Sequence, residues 1–549
     1  MSDWDPRPTR TMKRRRSSSG PKEISPKQPK ASGLKTLIID NGSYTIKAGY
    51  STDTEPQNIP NCIMKAKSER KRLFVGKQID ECRDCSGLYF LLPCERGYIT
   101  RWEVQKPVWD HVFSKNVCPI EENPVVVTQP LINFKSIQDC MDEIFFEEYE
   151  VQSLFRCNPA DLAYLHYAKD NKLTKSDACL VVDTGFSFTH VVPYIRGCKF
   201  LRAIRRLNVG GKLLTNHLKD IISYRQYNVM EETYVINQVK EDTCYVCSDI
   251  KQELAEAAKP LKSNSIVKNY VLPDFNMIRR GFIQDPNKKE PQEESYQILR
   301  LNNERFVVPE ILFHPSDIGM KSMGIAEAVV KSIMSSPKEH RQSLAKNIIL
   351  VGGNCKFPGF KVRMYAELRS LLPDSWEVKL FQDENPITYP WKGGRALLRT
   401  HDFRSHLVTK KDYEELGSTI TQERFNNFML DDSLLEPEKE DKPKETYRYL
   451  RTLEPRVFGK NEIINSVSDI IKVDNEEQKD EGGSGEREDV NKIVEEGEQE
   501  LNLHEGGRKQ GRPMKNKGSE ELLPTEEEEV ENDLLQSSEL FPFGNTSYL

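Results

Sequence analysis

Two short turns in this chain, each led by an aspartate and each containing a glycine, directly follow runs of apolar residues. Residues 34–40 run into the turn at 40–43 (Asp-Asn-Gly-Ser), and residues 178–183 run into the turn at 183–185 (Asp-Thr-Gly). An apolar run that ends at Asp-x-Gly is typical of a buried strand that brings a carboxylate and free backbone N–H groups to one point, where phosphate and a divalent cation could bind. One such turn would mean little, since Asp and Gly are ordinary turn formers. Two of them predict a duplicated fold with a nucleotide cleft between its halves.

The elements that would position these turns are strands that alternate with helices. The patterns at 124–127 and 347–351 predict strands, and the pattern at 137–149 predicts a helix. Such alternation favours α/β domains with mixed sheets, here from residue 34 to about residue 426. The 549 residues leave room for two or three domains. The 30% charged residues and the mean hydropathy of -0.64 indicate polar tails as well.

Both ends of the chain have the composition of disordered segments. Residues 1–33 form a basic arm whose Lys-Arg-Arg-Arg run at 13–16 predicts a nuclear import signal or a nucleic-acid contact, or else a solvated tail. Residues 427–549 form an acidic tail. Within it, an apolar stripe at 463–471 could dock on a partner or be a nascent helix, and the stretch at 508–513 weakly resembles a hook for the DNA minor groove. The net charge of -6 argues against general nucleic-acid binding.

Compartment and metal content can also be predicted. No apolar stretch reaches the roughly 18 residues of a membrane span, and the start is basic rather than a signal peptide, so we expect a soluble, intracellular protein with no membrane partner. The 12 cysteines are spread along the chain and are expected to be reduced. Cys82 and Cys85 with Cys244 and Cys247 could form a zinc site. Zinc is not favoured, because the pairs are far apart and the second falls in a helix-like pattern.

Five motifs, in order along the chain, resemble those of the actin family. They lie at 39–43 with 47–49, at 93–102, at 240–246, at 303–310, and at 352–354 with 357–359. Further stretches resemble nuclear actin-related members of the family, at 207–212, 270–275, 298–301 and 385–389. The resemblance covers residues 34–426 and implies the α/β architecture shared by actin, heat-shock-70 proteins and sugar kinases. Two similar halves would close on Mg·ATP, the first holding 34–166 with 388–426 and the second holding 167–387 with an insertion near 280–299.

The resemblance also implies roles for individual residues. The backbone N–H groups of Gly42, Ser43 and Tyr44 would bind phosphate, with Lys47 supplying a positive charge. Asp40 and Asp183 would hold Mg²⁺ through its waters. Lys240 and Glu241 match positions near the ribose and adenine. The predicted nucleotide-binding residues are Asp40, Asn41, Gly42, Ser43, Tyr44, Lys47, Asp183, Thr184, Gly185, Lys240, Glu241, Gly352, Gly353 and Asn354. We expect ATP or ADP with Mg²⁺ in this cleft, or no nucleotide.

The second turn and the hydrolytic position depart from the actin pattern. Phe186 and Ser187 stand where the pattern has a second Asp and a second Gly, which should weaken phosphate and metal binding. Pro159 aligns with the glutamine that positions the attacking water, and proline has no group to do so. A shift of one residue would offer Asn158 instead. His190 is in register and could contact solvent near the terminal phosphate. We therefore hypothesise negligible turnover and assign no catalytic residue.

Polymerisation is not expected either. Between 62 and 76 the chain is short and basic where actin has a longer hydrophobic clasp, and Asp317 replaces an aromatic residue in a loop that contacts the filament. Burying that carboxylate without a partner would be costly. A polar insertion at 284–289 alters the surface further. Tolerated loop variation is the simpler alternative for each site.

These features together favour a nuclear scaffold over an enzyme. The resemblance implies a subunit of an SWR/SRCAP-type remodelling complex that exchanges a variant histone into nucleosomes. Its partners would be the remodeller ATPase, a zinc-HIT-type protein, and the nucleosome with its histones and DNA. The main alternative is an active actin-like ATPase with a polymerising or conformational cycle. A sugar-kinase-like phosphotransferase is a lesser alternative, because no catalytic base is evident.

Overall fold

The computed structural model describes residues 35–66, 72–76, 78, 88–120, 123–174, 176–274, 278–285 and 296–431. The predictions for the basic arm, for Cys82 and Cys85, for residues 286–289 of the insertion, and for the tail stretches at 463–471 and 508–513 lie outside the described residues. The described residues all belong to one compact unit.

Strands and helices alternate through most of the described ranges. The strands are β1 (Leu37–Asn41), β2 (Thr45–Tyr50), β3 (Gln57–Pro60), β4 (Ile63–Ala66), β5 (Phe74–Val75), β6 (Leu88–Leu91), β7 (Cys94–Glu95), β8 (Tyr98–Ile99), β9 (Val125–Thr128), β10 (Ser153–Cys157), β11 (Ala178–Thr184), β12 (Thr189–Ile195), β13 (Cys198–Lys199), β14 (Arg205–Leu207), β15 (Lys268–Val271), β16 (Phe282–Ile283), β17 (Ile298–Leu301), β18 (Ile348–Val351), β19 (Leu380–Gln382) and β20 (Val408–Thr409).

The α-helices are α1 (Trp102–Val112), α2 (Lys135–Glu143), α3 (Pro159–Asp170), α4 (Gly211–Arg225), α5 (Thr233–Thr243), α6 (Ile250–Ala257), α7 (Glu304–Glu310), α8 (Ile325–Met334), α9 (Lys338–Lys346), α10 (Phe360–Leu371), α11 (Tyr389–Leu397), α12 (His401–His406), α13 (Lys410–Leu416) and α14 (Ser418–Asn426). The helix expected at 137–149 begins two residues earlier, and its last turn is a π-helix at Ile144–Glu148. Within the described ranges, no helix combines the length and apolar character needed to cross a membrane.

Two mixed sheets repeat one arrangement of strands. The first sheet has the order β20-β10-β9-β1-β2-β3, and the second has the order β13-β12-β11-β18-β19 with β14 beside β12. In the first, β1 is antiparallel to β2 and parallel to β9; in the second, β11 is antiparallel to β12 and parallel to β18. The turn of each central hairpin is one of the two Asp-x-Gly turns, so the mixed α/β architecture predicted from the sequence is confirmed.

The central strands form because they are buried on both faces. Every residue of β9 and β18 is buried, and β11 is buried except for Asp183. Such continuous runs of Val, Ile and Leu are typical of parallel strands covered by helices. The first sheet draws its strands from 37–60, 125–157 and 408–409, and the second from 178–207 and 348–382. The exact boundary between two halves remains a prediction, since the described residues form one unit.

Candidate functional site

The first turn fixes a carboxylate and an ammonium group at the end of the first sheet. Asp40 and Lys47 are paired across β1 and β2, and Lys47 Nζ lies 3.2 Å from Asp40 Oδ2. The Thr128 hydroxyl donates to Asp40 Oδ1 over 2.8 Å and accepts the N–H of Asn41 over 2.9 Å. Both charged side chains are at least nine-tenths buried. Their positions are therefore set by the ladder of β1 and β2 rather than by any ligand.

The backbone of this turn is shaped for close approach. A Cβ atom on Gly42 would lie 2.7 Å from the backbone oxygen of Thr45, so only glycine fits. The Asn41 amide oxygen accepts from Trp109 Nε1 over 3.1 Å. The N–H of Gly42 donates to the backbone oxygen of Asp40. In the described part of the chain, the N–H groups of Ser43 and Tyr44 have no backbone partner, so these two of the three predicted phosphate donors are free to bind an anion.

Asp183 lies at the end of β11 and faces the first turn. Burial, and next the negative charge of Asp40, raise the pKa of Asp183 to about 7, while Lys47 acts in the opposite direction. The two aspartates and the lysine predicted at 40, 47 and 183 are thus brought together. Two neighbouring carboxylates that repel each other are a donor set that suits a hydrated Mg²⁺ ion, and the assignment of Mg²⁺ to them remains a prediction.

The polar groups of the second turn are bonded within the chain. Asn354 Nδ2 donates to Thr184 Oγ1 over 3.0 Å and to the backbone oxygen of Gly185 over 2.9 Å. The N–H of Gly185 donates to the backbone oxygen of Phe188 over 3.0 Å. No Gly185 N–H is therefore left for phosphate, and Asn354 serves to hold the turn.

The two predicted glycines at 352 and 353 differ in their surroundings. Gly352 has a φ of +99°, and a Cβ there would lie 2.1 Å from the backbone oxygen of Thr184. A Cβ on Gly353 would meet nothing within 4 Å. Glycine is needed at 352 because the backbone of Thr184 lies too close for a side chain. Gly353 borders open space, where a ligand could approach.

Lys240 and Glu241, the pair expected near ribose and adenine, differ in their exposure to solvent. Lys240 is 3% exposed, and its Nζ donates to the backbone oxygen of Gly211, to Thr215 Oγ1 and to Asn237 Oδ1 over 2.7–3.0 Å. Burial lowers the pKa of Lys240 to about 8. All three of its donors are used, so Lys240 joins α5 to α4. Glu241 is exposed.

Asn237 is a residue of the site that the sequence did not identify. Its Oδ1 accepts from Thr215 and Lys240, while its Nδ2 donates to the Tyr44 hydroxyl over 2.8 Å and to Glu241 Oε1 over 2.7 Å. It connects the first turn to α5. The signal that could have found it is a buried Asn inside a helix, one turn before Lys240, where a polar side chain needs partners.

Neither Pro159 nor Asn158, the two residues that could align with the glutamine that positions the attacking water, offers a free polar group. Pro159 is the first residue of α3. Asn158 is 8% exposed; its Nδ2 donates to the backbone oxygens of Gln129 and Pro130, and its Oδ1 accepts from Lys199 Nζ over 3.2 Å. The amide of Asn158 is engaged by these neighbouring groups, so a shift of the alignment by one residue does not supply the missing group.

The expectation that His190 contacts solvent is wrong. His190 is 4% exposed and packs on the Phe188 ring at 4.2 Å between centroids. Burial first, and the nearby charge of Arg206 second, lower the pKa of His190 to about 3. The imidazole is neutral at physiological pH. It acts as a core residue, because every residue of β12 is buried.

The interpretation of the second cysteine pair also needs correction. Cys244 and Cys247 do not lie in a helix: α5 ends at Thr243, Cys244 follows it with extended backbone, and Cys247 lies in the loop before α6. Burial raises the pKa of Cys244 to about 12 and that of Cys247 to about 11. The described cysteines are all free thiols, and no cluster of three or more metal-binding side chains occurs in the described ranges.

The residues that bear on polymerisation lie at the surface. Asp317 is exposed in the 3-10 turn Pro315–Ile318. Lys65 is half-buried and Arg72 exposed, while the other basic residues of that segment lie outside the described residues. The absence of polymerisation stays a prediction.

Two surface cavities lie away from the aspartate turns. One of about 420 Å³ is lined by residues including Phe146, Lys410 and Tyr413, and one of about 580 Å³ by residues including Val362 and Phe381. Neither is lined by a predicted nucleotide-binding residue.

The two mixed sheets with matching central hairpins form a mixed α/β fold of the actin type, and the family profile described as Actin matches residues 31–426. The chain belongs to the actin family. Among similar proteins, Actin-related protein 6 of Drosophila melanogaster is 47% identical over 386 residues, covering 69% of this chain and 97% of that protein. Actin-like protein ARP6 of Yarrowia lipolytica is 38% identical over 397 residues (72% and 99%), and Actin-related protein 6 of Arabidopsis thaliana is 36% identical over 419 residues (71% and 99%). The recognition of an actin-related protein from the sequence is confirmed.

Proposed function

We propose that this chain is a nuclear, non-polymerising actin-related scaffold in a chromatin-remodelling complex of the SWR/SRCAP type. In that complex it bridges the remodeller's ATPase subunit and the nucleosome while a variant histone is exchanged, and a zinc-HIT-type protein is a further partner. Nucleotide binding by this chain is structural or absent. The similarity to proteins named Actin-related protein 6 supports the choice of subfamily.

The observation that carries the scaffold role is that three polar side chains at the expected nucleotide and water positions, those of Lys240, Asn354 and Asn158, are bonded within the chain. Lys240 uses its three donors on α4 and α5. Asn354 holds the second turn, and the Asn158 amide donates to the backbone oxygens of Gln129 and Pro130. A polar group that must break a buried hydrogen bond before it can contact a ligand contributes little net free energy to binding. Such a cleft is better suited to rigidity than to turnover.

The expectation that the chain does not hydrolyse ATP rests on positions 158 and 159. Hydrolysis requires a side chain that orients the attacking water. Pro159 has no such group, and the amide of Asn158 already donates both of its hydrogens and accepts from Lys199. We therefore expect phosphate release at the rate of the uncatalysed reaction. A steady rate comparable to that of filament-forming actins would contradict this part of the proposal.

The test of the scaffold role is recovery of the complex. A tagged full-length chain is purified from nuclear extract in mild salt, and the stoichiometric partners are identified by mass spectrometry. Recovery with a remodeller ATPase and a zinc-HIT protein supports the proposal; recovery alone or as filaments contradicts it. A matched variant that ends at Asp431 tests the acidic tail. If it retains assembly and histone exchange, the tail has no essential role.

A second candidate function is that of an active actin-like ATPase. The convergence of Asp40, Lys47 and Asp183 favours it, because a cation and a phosphate could still meet there. Phosphate release and salt-dependent and ATP-dependent pelleting of the purified chain test this function. Activity that disappears in Lys47→Ala would favour the ATPase over the scaffold.

A further inference from the structure

We propose that Phe186 and Phe188 of the second turn form an aromatic clasp that joins this turn to the first aspartate turn and to the hairpin of β7 and β8, and that occupies the place of a nucleotide. The clasp consists of Phe186 against Tyr44 and Phe188 against Gly97. This inference rests on the part of the proposed function that makes nucleotide dispensable. It adds a physical replacement for the ligand.

The first contact of the clasp joins the two aspartate turns. The rings of Tyr44 and Phe186 are stacked, with centroids 4.8 Å apart and an angle of 29° between their planes. Tyr44 lies in the turn between β1 and β2, and Phe186 lies in the turn between β11 and β12. The Tyr44 hydroxyl also accepts a hydrogen bond from Asn237 on α5. An aromatic pair thus joins the turns of the two central hairpins, and a hydrogen bond joins the first turn to α5.

The position of the Phe186 ring explains why it excludes a nucleotide. A Cβ added to Gly211 would lie 3.3 Å from Phe186 Cδ2 and 3.4 Å from Lys240 Nζ, so the ring and the ammonium group border the same point. Tyr44, predicted to bind phosphate, and Lys240, predicted to bind ribose, therefore both lie beside Phe186. A ring between those two positions fills the path that a ribose phosphate would follow. It also presents an apolar surface where a phosphate would need donors.

The second contact of the clasp joins the hairpin of β7 and β8 to the second sheet. This hairpin packs through Cys94 and Ile99 into the same core as β1. Its turn contains Gly97, with a φ of +86°, and a Cβ there would lie 2.1 Å from Phe188 Cε1. The Phe188 ring is therefore seated directly on the backbone of Gly97, a contact that any larger residue at 97 would prevent.

Arg206 of β14 reinforces this second contact. Its guanidinium carbon lies 4.6 Å from the centroid of Phe188 and 4.9 Å from that of Tyr98. It donates to the Tyr98 hydroxyl over 2.9 Å and to the backbone oxygen of Arg96 over 2.6 Å. A cation between two rings with hydrogen bonds to the opposite hairpin is a strong lateral restraint.

The backbone that carries the two phenylalanines is itself held in place. The N–H groups of Gly211 and Lys212, at the start of α4, donate to the backbone oxygens of Gly185 and Phe186 over 3.0 and 2.8 Å. The first turn of a helix is a common site for anions. Here the N–H groups at the start of α4 bind the carbonyl oxygens of the second turn, so the start of the helix orients the backbone of the clasp.

Hydrogen exchange of the full-length chain tests the clasp. Without nucleotide, two sets of backbone amides should be protected in the wild type: those of Gly42 and Asn61, which donate to the backbone oxygens of Asp40 and Tyr44 in the first turn, and those at 95–99. Mg·ATP should not change the exchange rates of either segment. In Phe186→Ala/Phe188→Ala, each segment should exchange about tenfold faster, since an aromatic contact contributes roughly a threefold to tenfold factor. The variant Phe186→Leu keeps apolar volume and should give a smaller increase. Phe134→Ala removes an exposed ring that contacts Tyr98 and is the matched control. It should leave the exchange of Gly42 and Asn61 unchanged.

Two results would overturn the clasp. The first is a wild-type chain that exchanges both segments rapidly until Mg·ATP slows them, because the nucleotide would then be the bridge. The second is wild-type protection in both phenylalanine variants. Neither result bears on recovery of the remodelling complex, so the two proposals fail separately. Loss of the complex with intact protection would reject the scaffold role alone.

Discussion

Replacing Asp183 with asparagine should remove a pH dependence from the stability of this protein. In the folded chain, burial and the charge of Asp40 raise the pKa of Asp183 from 3.8 to about 7. The unfolded chain releases this proton near pH 4, whereas the folded chain keeps it until about pH 7. Between those values the folded state binds more protons, so the free energy of unfolding falls as the pH rises.

The size of the effect follows from the shift. A difference of about three pKa units corresponds to about 4 kcal/mol between the two limits, at 1.36 kcal/mol per unit. The ionisation curves of the two states place about 2.5 kcal/mol of this loss between pH 5 and pH 8. The wild type should lose that amount over this interval in addition to what its other groups contribute, and Asp183→Asn should not.

Urea unfolding of the full-length chain in EDTA, at pH 5 and pH 8, measures the difference. Asp317→Asn, which changes an exposed aspartate, is the control and should keep the wild-type dependence. Mg²⁺ should flatten the wild-type dependence if Asp183 helps to hold the ion, because the cation favours the ionised carboxylate. An unchanged loss of stability in Asp183→Asn between the two pH values would refute the reasoning.

The remaining predictions concern buried groups at the site. Burial lowers the pKa of His190 to about 3, so the imidazole of the unfolded chain takes up a proton at a higher pH than that of the folded chain. The wild type should therefore lose about 3 kcal/mol of unfolding free energy between pH 7 and pH 4. Urea unfolding at the two pH values should show a smaller loss for His190→Gln. Lys240→Met removes three buried hydrogen bonds and should lower the unfolding free energy by about 2 to 3 kcal/mol, whereas the exposed Lys251→Met should leave it unchanged. Equal stability of the two variants would contradict the network. Gly352→Ala should cost more than about 3 kcal/mol, because its Cβ would overlap a backbone oxygen 2.1 Å away at positive φ, and Gly353→Ala should be nearly neutral; thermal unfolding of both variants decides this.

The fold was largely predictable because its signals are local. The apolar runs before Asp40 and Asp183 are strands, and the runs at 124–127 and 347–351 are β9 and β18 within one residue. Alternation of buried strands with amphipathic helices depends on side-chain periodicity, which a sequence displays directly. The end of α5 was missed, since Cys244 continues an apolar pattern that the backbone leaves at Thr243.

The site was less predictable because it depends on which side chain reaches which partner. The sequence identified Lys240 as a residue of the cleft, but its three acceptors come from α4 and α5. The substitution at Phe186 could be recognised as a departure from the actin pattern. Its stacking on Tyr44, 142 positions earlier in the chain, could not. Asn237 carried no motif at all.

By itself, the sequence determined the class of this protein: the order of motifs gave the actin family, and the two aspartate turns marked the ends of the central hairpins. Only the tertiary structure decided what the turns do to each other. It placed Asp183 against Asp40, buried His190, and set Phe186 and Phe188 against the opposite hairpins. The physical reason is that strand and helix formation depend on neighbours along the chain, whereas charge repulsion, desolvation and ring stacking depend on distances between segments that only folding brings together.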